Sequence, residues 1–277
     1  MIQDIAPSRL YNEYRECTPK DGDVIYIFDE KGRVLLGDDE GHILFVRHED
    51  IPDARTIYLF SIDEQRFFLS LDLSDCQRDG YEYVTIREVR DRFSGTSMSD
   101  VYSVFTAYHL WRWYADNRHC GRCGADLKPS MTERSLVCPE CGNIVYPRIN
   151  PAVIVGVTKG DCLLLTRYRT GYGHNALVAG FTEIGETLEE TVQREVMEET
   201  GIRVTNIRYY KSQPWGMAQD MLVGFYCDAV GDDEIRMDEG ELKYAEWVRR
   251  EDIELQPNNL SLTNEMMRVF KENRLNR

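Results

Sequence analysis

The chain has no apolar run near the roughly 18–20 residues that span a bilayer, and its charged opening, MIQDIAPSRLYNEYRE, contains no apolar leader segment. A reducing cytoplasm is the expected setting. Positive charge is scarce: 33 Lys and Arg against 48 Asp and Glu give a net charge of -15 and a pI near 4.8. That balance excludes broad, sequence-blind attachment to nucleic acid or to an anionic membrane. It leaves room for a local pocket whose phosphorylated ligand brings its own cations. Biased tracts and recognisable internal repeats are also missing. With a mean hydropathy of -0.47, the composition is that of a soluble globular protein.

What is present suffices for real cores, since 42% of the 277 residues are hydrophobic and 11% aromatic. The length suits two domains and a small third module. Residues 1–117 read as an N-terminal α/β domain. Short apolar or alternating runs at 24–28, 34–36, 43–46 and 56–60 are separated by Asp, Gly and Pro turns. Polar residues 61–65 turn the chain back into 67–71 as a hairpin. Val101, Val104, Phe105, Tyr108 and Trp111 recur at helical spacing behind Ser99, a candidate N-cap. The aromatic group Tyr108, Trp111, Trp113 and Tyr114 reads as packing, and no catalytic constellation lies in this domain. A turn-rich, cysteine-bearing module (118–146) follows, then a mixed α/β domain (147–277). In that domain, strands are expected at 151–157, 162–167, 176–179, 204–211, 221–227 and 244–248, with helices at 188–200 and 261–273.

Cys120-Gly-Arg-Cys123 and Cys138-Pro-Glu-Cys141 are two CxxC pairs fourteen residues apart. Each pair places two thiolates on a tight turn, and two such turns complete a tetrahedral zinc site. Gly121, Gly124 and Gly142 offer the backbone freedom those turns need. A disulfide pair or a redox dithiol explains neither the doubling nor the spacing. One structural Zn²⁺ with a closed coordination sphere is expected. Cys17, Cys76, Cys162 and Cys227 stand singly and read as ordinary thiols.

From Gly180 the chain reads GFTEIGETLEETVQREVMEETGI. Thr187 with Glu190 forms a capping box, so a helix starts at Leu188, and Gly201 sits where a left-handed residue would end it. Leu188, Val192 and Val196 form the buried stripe. Glu195, Glu198 and Glu199 crowd one face near the helix C-terminus, where the helix dipole and their mutual repulsion both disfavour them. Divalent cations reverse the sign of that arrangement, and oxygen ligands suit Mg²⁺ or Mn²⁺.

This segment resembles the Nudix box, the loop–helix–loop of the Nudix hydrolases, which implies an α/β/α sandwich for the C-terminal domain. The resemblance implies metal-ligand roles for Glu195 and Glu199. It gives Glu198 a role as ligand or as the base that activates water. Further ligands would be the carbonyl of Ala179 and, from outside the box, Glu241. Arg194 and Glu186 would pair as structural support, although Arg194 also stands four residues from both Glu190 and Glu198.

Ser212-Gln213-Pro214-Trp215 lies downstream. Together with the four-cysteine ribbon and the box, it resembles the NADH pyrophosphatases of the NudC type. In that family the motif continues Pro-Phe-Pro-x-Ser; here it continues Gly216-Met217-Ala218-Gln219-Asp220. The resemblance assigns Gln213 through Asp220, Glu133, Tyr146 and Thr263 to the substrate side. It implies hydrolysis of NADH or NAD⁺ to nicotinamide mononucleotide and AMP with two or three Mg²⁺ or Mn²⁺ ions. It also implies removal of NAD caps from RNA, for which Arg118, Arg122, Lys128 and Arg134 offer local basic surface, and a homodimer. One competing reading is a Nudix hydrolase of another nucleoside diphosphate derivative: ADP-ribose, a nucleotide sugar or a dinucleoside polyphosphate. Another is a non-catalytic Nudix-like sensor, which would be expected to lack box glutamates.

Overall fold

The computed structural model describes residues 1–274 except 94, 171, 172, 232 and 233, and the chain divides into two compact units. One unit comprises residues 3–148 together with 216–219. Its larger sheet has the strand order Leu10–Tyr11, Thr56–Ile62, Gln65–Ser70, Val24–Tyr26. A three-stranded sheet orders His42–Leu44, Val34–Asp39 and Tyr81–Val84. The expected hairpin is tighter than its polarity suggests. Both strands run on until only Asp63 and Glu64 remain, with Asp63 left-handed at φ 49°, while polar Ser61 is buried in the ladder.

Helix α1 (Met98–Asp116) is capped by Ser97 and not by Ser99. The reason is the Ser97–Asp100 pair: Ser97 Oγ accepts from the Asp100 N–H at 3.1 Å and bonds the Asp100 carboxylate at 2.8 Å, so Ser99 falls inside the first turn. The aromatic group packs as expected. Trp111 stacks on Phe28 with ring centroids 5.0 Å apart, and fully buried Trp113 lies against Tyr114 at 4.5 Å. The ribbon strands Lys128–Pro129, Leu136–Val137 and Ile144–Val145 belong to this same unit.

The other unit comprises residues 1–2, 149–215 and 220–277. Its strands are β1 (Asn150–Lys159), β2 (Cys162–Tyr168), β3 (Val178–Phe181), β4 (Arg203–Trp215), β5 (Asp220–Val230) and β6 (Leu242–Arg249). They form one sheet ordered β4-β5-β1-β2-β6, with β3 paired to β1. β1 runs parallel to β5 and is buried on both faces, which accounts for its unbroken apolar run.

Alternation divides the side chains. Val153, Val155, Val157, Val223 and Phe225 meet helix α2 (Leu188–Thr200) on one face through Val192 and Val196. Ile154, Leu163, Leu165 and Tyr226 meet helix α3 (Leu262–Lys271) on the other. The result is an α/β/α sandwich in a mixed α/β chain.

The largest departures from expectation are in β3 and β4. β3 is displaced toward the box because Ala176 makes only a lone bridge to Thr166, and the ladder with β1 begins at Val178. β4 extends through Ser212–Trp215, and it tolerates Pro214 because it is an edge strand.

Candidate active site and metal centres

The cysteine quartet is assembled. All four sulfurs lie within 4.8 Å of one another, with Cys120–Cys141 at 3.7 Å and Cys123–Cys138 at 3.4 Å. Sulfurs bonded tetrahedrally to zinc at about 2.3 Å stand about 3.8 Å apart, so the residues fit a single Zn²⁺. Backbone N–H groups point at the sulfurs. Hydrogen bonds, the Arg122 amide's first among them, lower Cys120 to about 6, and the Cys141 amide lowers Cys138, so these two favour the thiolates a metal needs, while bonds to the neighbouring thiols raise Cys123. Gly124 and Gly142 adopt φ 80° and 71°, with their N–H groups bonded to the carbonyls of Cys120 and Cys138. Gly121 is not left-handed, so the expectation of a special conformation there fails: each turn needs that freedom only after its second cysteine. Trp113 packs against Cys120, Cys138, Leu127 and Leu136.

In the box, Thr187 Oγ1 accepts from the Glu190 N–H while the Glu190 carboxylate accepts from the Thr187 N–H at 2.8 Å. Gly201 closes α2 at φ 71° with its N–H on the Met197 carbonyl. Gly180 has a tertiary reason to be glycine, because any Cβ there would collide with the Glu195 carboxyl. The loop before β6 is pinned to the end of α2 by the N–H groups of Arg236 and Asp238, which bond to the carbonyls of Thr200 and Glu199 at 2.8 and 2.9 Å. In this way Asp238 and Glu241 reach the box glutamates, while the Arg169 N–H holds the Glu241 carbonyl at 3.0 Å.

Glu199 is the most perturbed of these acids. It is 3% exposed, and its Oε2 has no hydrogen-bond partner. Burial pushes its carboxyl up to about 8, and the charges of Glu195, Glu241 and Asp238 push the same way against one Ala179 N–H. Burial also raises Glu195. Tyr168 is raised by burial and then by Glu199, Glu241 and Glu195, so its phenol faces the same acids. A buried carboxylate with a partnerless oxygen among like charges is a group that lacks a cation. The donor set therefore suits oxygen-seeking divalent metals, which Glu195, Glu199 and Glu241 would hold. Among the described residues no three of these carboxylates close to the 4.8 Å spacing of the cysteines.

Arg194 bridges Glu186, Glu195 and Glu198. It forks onto Glu186 at 2.6 and 2.9 Å, reaches Glu195 at 2.6 Å and Glu198 at 3.1 Å, and donates to the Phe181 carbonyl at 2.9 Å. Its guanidinium lowers Glu186 to about 2. Glu190 is taken by the cap, which settles the choice of partner left open by spacing. Glu198 is 62% exposed and faces solvent.

The substrate-side residues divide by unit. In the ribbon unit, the Tyr146 hydroxyl donates to Glu133 at 3.1 Å, and Arg148 donates to Gln219 Oε1 at 2.6 Å. Gly216 is buried where a Cβ would collide with the Phe105 carbonyl. Met217 is half-buried and Ala218 exposed.

In the sandwich unit, Gln213 is fully buried. It donates to the Leu260 carbonyl at 2.8 Å and accepts from the Leu262 N–H at 2.6 Å. Both ends of its amide thus clamp the entry to α3, which corrects the expectation that this side chain faces the substrate. Pro214 and Trp215 are half-buried, Asp220 is buried at the start of β5, and Thr263 is half-buried in the first turn of α3.

Sequence reasoning missed Tyr168, Asp238 and Phe181, whose ring is half-exposed beside Gly180. The only signal for Phe181 was its place inside the box. Tyr168 and Asp238 had none, because pairing of β2 with β6 and the loop pins bring them in.

Residues 147–270 match the NUDIX domain model and residues 115–146 the NADH pyrophosphatase zinc ribbon domain. Over 151 residues the chain is 43% identical to the NAD-capped RNA hydrolase NudC of Klebsiella pneumoniae subsp. pneumoniae and 42% identical to that of Escherichia coli O1:K1 / APEC. Each match covers 53% of this chain and 58% of the relative, so the chain spans under two thirds of the length of the relatives it matches. A NUDIX hydrolase from Nitrosomonas europaea superimposes with a TM-score of 0.49 at 22% identity, over 56% of this chain and 91% of that one. With its box glutamates in place and its four cysteines gathered, the chain carries a segment similar to a NUDIX domain at residues 147–270, directly behind one similar to the NADH pyrophosphatase zinc ribbon at residues 115–146.

Proposed function

We propose that the chain hydrolyses the pyrophosphate of NADH or NAD⁺, releasing AMP and nicotinamide mononucleotide in the redox state of the substrate. The observation that carries this is the Glu199 carboxyl, buried and partnerless on one oxygen beside Glu195 and Glu241. Mg²⁺ or Mn²⁺ bound there would neutralise the diphosphate and acidify a water.

The chain's own residues do the rest. Glu195, Glu199 and Glu241 hold the ions, with the Ala179 carbonyl as a backbone ligand. Arg194 fixes the separation of Glu195 and Glu198. Glu198, open to solvent, takes the proton of the attacking water. Glu186 holds Arg194 in turn, and the four thiolates hold one structural Zn²⁺. Glu133 and Tyr146, residues 214–220 and Thr263 are the substrate-side residues of this reading.

The relatives' name, NAD-capped RNA hydrolase, supports NAD-capped RNA as a further substrate. A cytoplasmic homodimer completes the proposal. Its domain boundaries are 1–117, 118–146 and 147–277.

One observation favours a second reading. Gly216 lies so close to the Phe105 carbonyl that the proline of the family motif has no room there. The pocket wall therefore differs, and ADP-ribose, a nucleotide sugar or a dinucleoside polyphosphate becomes the alternative substrate. Chromatography of products after incubation with Mg²⁺ or Mn²⁺ and each candidate decides between them. Mononucleotide plus AMP formed fastest from NADH or NAD⁺ supports the first reading. Intact dinucleotides beside another cleaved diphosphate overturn it in favour of the second.

A further inference from the structure

The loop that carries Asp238 and Glu241 to the box also walls a cavity. Arg169, Met237, Glu239, Leu242 and Lys243 line about 410 Å³ of space within the sandwich unit, enough for a small ligand. The wall is a turn closed by its own backbone. The Asp238 carbonyl accepts from the N–H groups of Glu241 and Leu242 at 3.3 and 2.9 Å, and the Asp238 carboxylate accepts from the Gly240 N–H at 2.7 Å. Beside it the β2–β6 ladder shifts register, from Arg167–Tyr244 to Tyr168–Leu242, which leaves Lys243 as the extra residue of a bulge. Bulges re-aim side chains, and this one sets Lys243 on the cavity. Arg169 is held at two points: its N–H donates to the Glu241 carbonyl at 3.0 Å, and its Nη1 donates to the Glu239 carbonyl. Its Nε–Nη2 edge takes no partner among the described residues, where neither Arg169 nor Lys243 pairs with a carboxylate.

In a chain of net charge -15, two cations left without carboxylates around one cavity point to an anion from outside. A guanidinium edge fits two phosphate oxygens, and an ammonium adds a point charge beside it. Arg169 and Lys243 against the single acid Glu239 leave the lining one positive charge in surplus. That surplus matches a phosphodiester, which carries one negative charge, better than a monoester at about -1.5 to -2. Met237 and Leu242 give the same cavity an apolar wall. We propose that the cavity is a subsite for a phosphodiester of the substrate outside the pyrophosphate that is cut, with the flanking nucleoside against Met237 and Leu242. On the reading above, this diester joins the adenosine of an NAD cap to the next nucleotide of the RNA, and the inference rests on that reading for the identity of the diester. Glu241 ties the cavity to the reaction: its carboxylate is a proposed metal ligand, while its carbonyl is the group that Arg169 holds. Broad attachment to RNA is excluded by the acidic whole, but one diester needs only these two cations.

The experiment measures kcat/KM for an NAD-capped trinucleotide and for NAD⁺ with the full chain and with Lys243→Gln and Arg169→Gln. The expected result is a wild type that favours the capped trinucleotide, and a ratio that falls about ten-fold in each variant, as loss of one charge-assisted contact predicts. A ratio the variants leave unchanged, even where both rates fall, means that the two cations only shape the Glu241 loop, and it overturns the inference. Salt supplies a readout that a structural role would not move. The capped trinucleotide should lose kcat/KM with salt more steeply than NAD⁺, by about 0.7 in log–log slope for one added phosphate contact. Equal slopes overturn the proposal. Calorimetric binding of the dinucleotide pApA and of AMP tests the subsite without turnover. The dinucleotide is expected to bind the wild type about ten-fold tighter and to lose that margin in Lys243→Gln, and equal affinities in the wild type overturn the proposal. If no NAD cap is cleaved but the margin is present and lost in this way, the substrate reading fails and the subsite stands.

Discussion

Replacing Glu199 by Gln should stabilise the metal-free chain at alkaline pH while removing its activity. A carboxyl that titrates near 4.5 when unfolded and at about 8 in the folded chain holds its proton longer in the folded state. Its contribution to stability is fully present below pH 4.5 and is lost as pH rises toward 8. At roughly 1.4 kcal/mol for each pH unit between the two values, the ionised form costs the fold up to about 5 kcal/mol. Glutamine is nearly isosteric and cannot ionise, so it escapes that loss.

Hydrogen exchange of the β1 amides, in buffer freed of loose divalent ions on a chelating resin, reports the sandwich unit directly. Between pH 5 and pH 9 the wild type should lose several kcal/mol more protection than Glu199→Gln. Added Mg²⁺ or Mn²⁺ should return that protection to the wild type and leave the variant unmoved. Turnover of the variant should fall at least about a hundredfold. If wild type and variant lose protection in parallel, the strain does not reside at Glu199 and the metal-site argument built on it is wrong.

Arg194→Lys keeps a charge but cannot fork onto Glu186 while reaching Glu195, Glu198 and Phe181; kcat should fall about 10- to 100-fold with little change in melting temperature. Gly180→Ala should displace the Glu195 carboxyl and abolish metal-dependent turnover, read as lost Mn²⁺ affinity by calorimetry in a chain whose circular dichroism is unchanged. Cys138→Ser should release zinc, measured by atomic emission, and expose Trp113 as a red-shifted fluorescence. Thr187→Ala removes one cap and should cost about 1 kcal/mol in denaturant unfolding with kcat retained.

How far the sequence was legible follows from how local each determinant is. The box helix was readable to the residue because its boundaries are set within a few positions, by Thr187 with Glu190 and by Gly201. The cysteine site was readable because two tight turns carry all four ligands. The cap of α1 slipped by two residues since Ser97 and Ser99 are chemically alike, and the partner at Asp100 decides between them. Arg194 had two possible glutamate partners by spacing, Glu190 and Glu198, and the fold of the Gly180–Gly185 loop adds Glu186, eight residues away. Gln213 misled for a related reason: a polar side chain in a substrate motif reads as a ligand, whereas β4 carries it into the α3 interface. The arrivals of Tyr168 and Asp238 were beyond pattern altogether. They depend on a strand pairing and a loop pinned by backbone amides, neither of which leaves a periodic trace.

The sheet separates two tasks that the sequence presents as one continuous stretch. The carboxylates proposed to hold metal come from α2 and from the loop that its last carbonyls pin. Trp215 and Asp220 project from the opposite face, toward α3, one strand pair away from β1. β1 and β5 join the two faces through a rigid parallel ladder, so residue 220 can change without moving Glu195 or Glu199. The altered continuation of the SQPW motif is therefore compatible with an intact box.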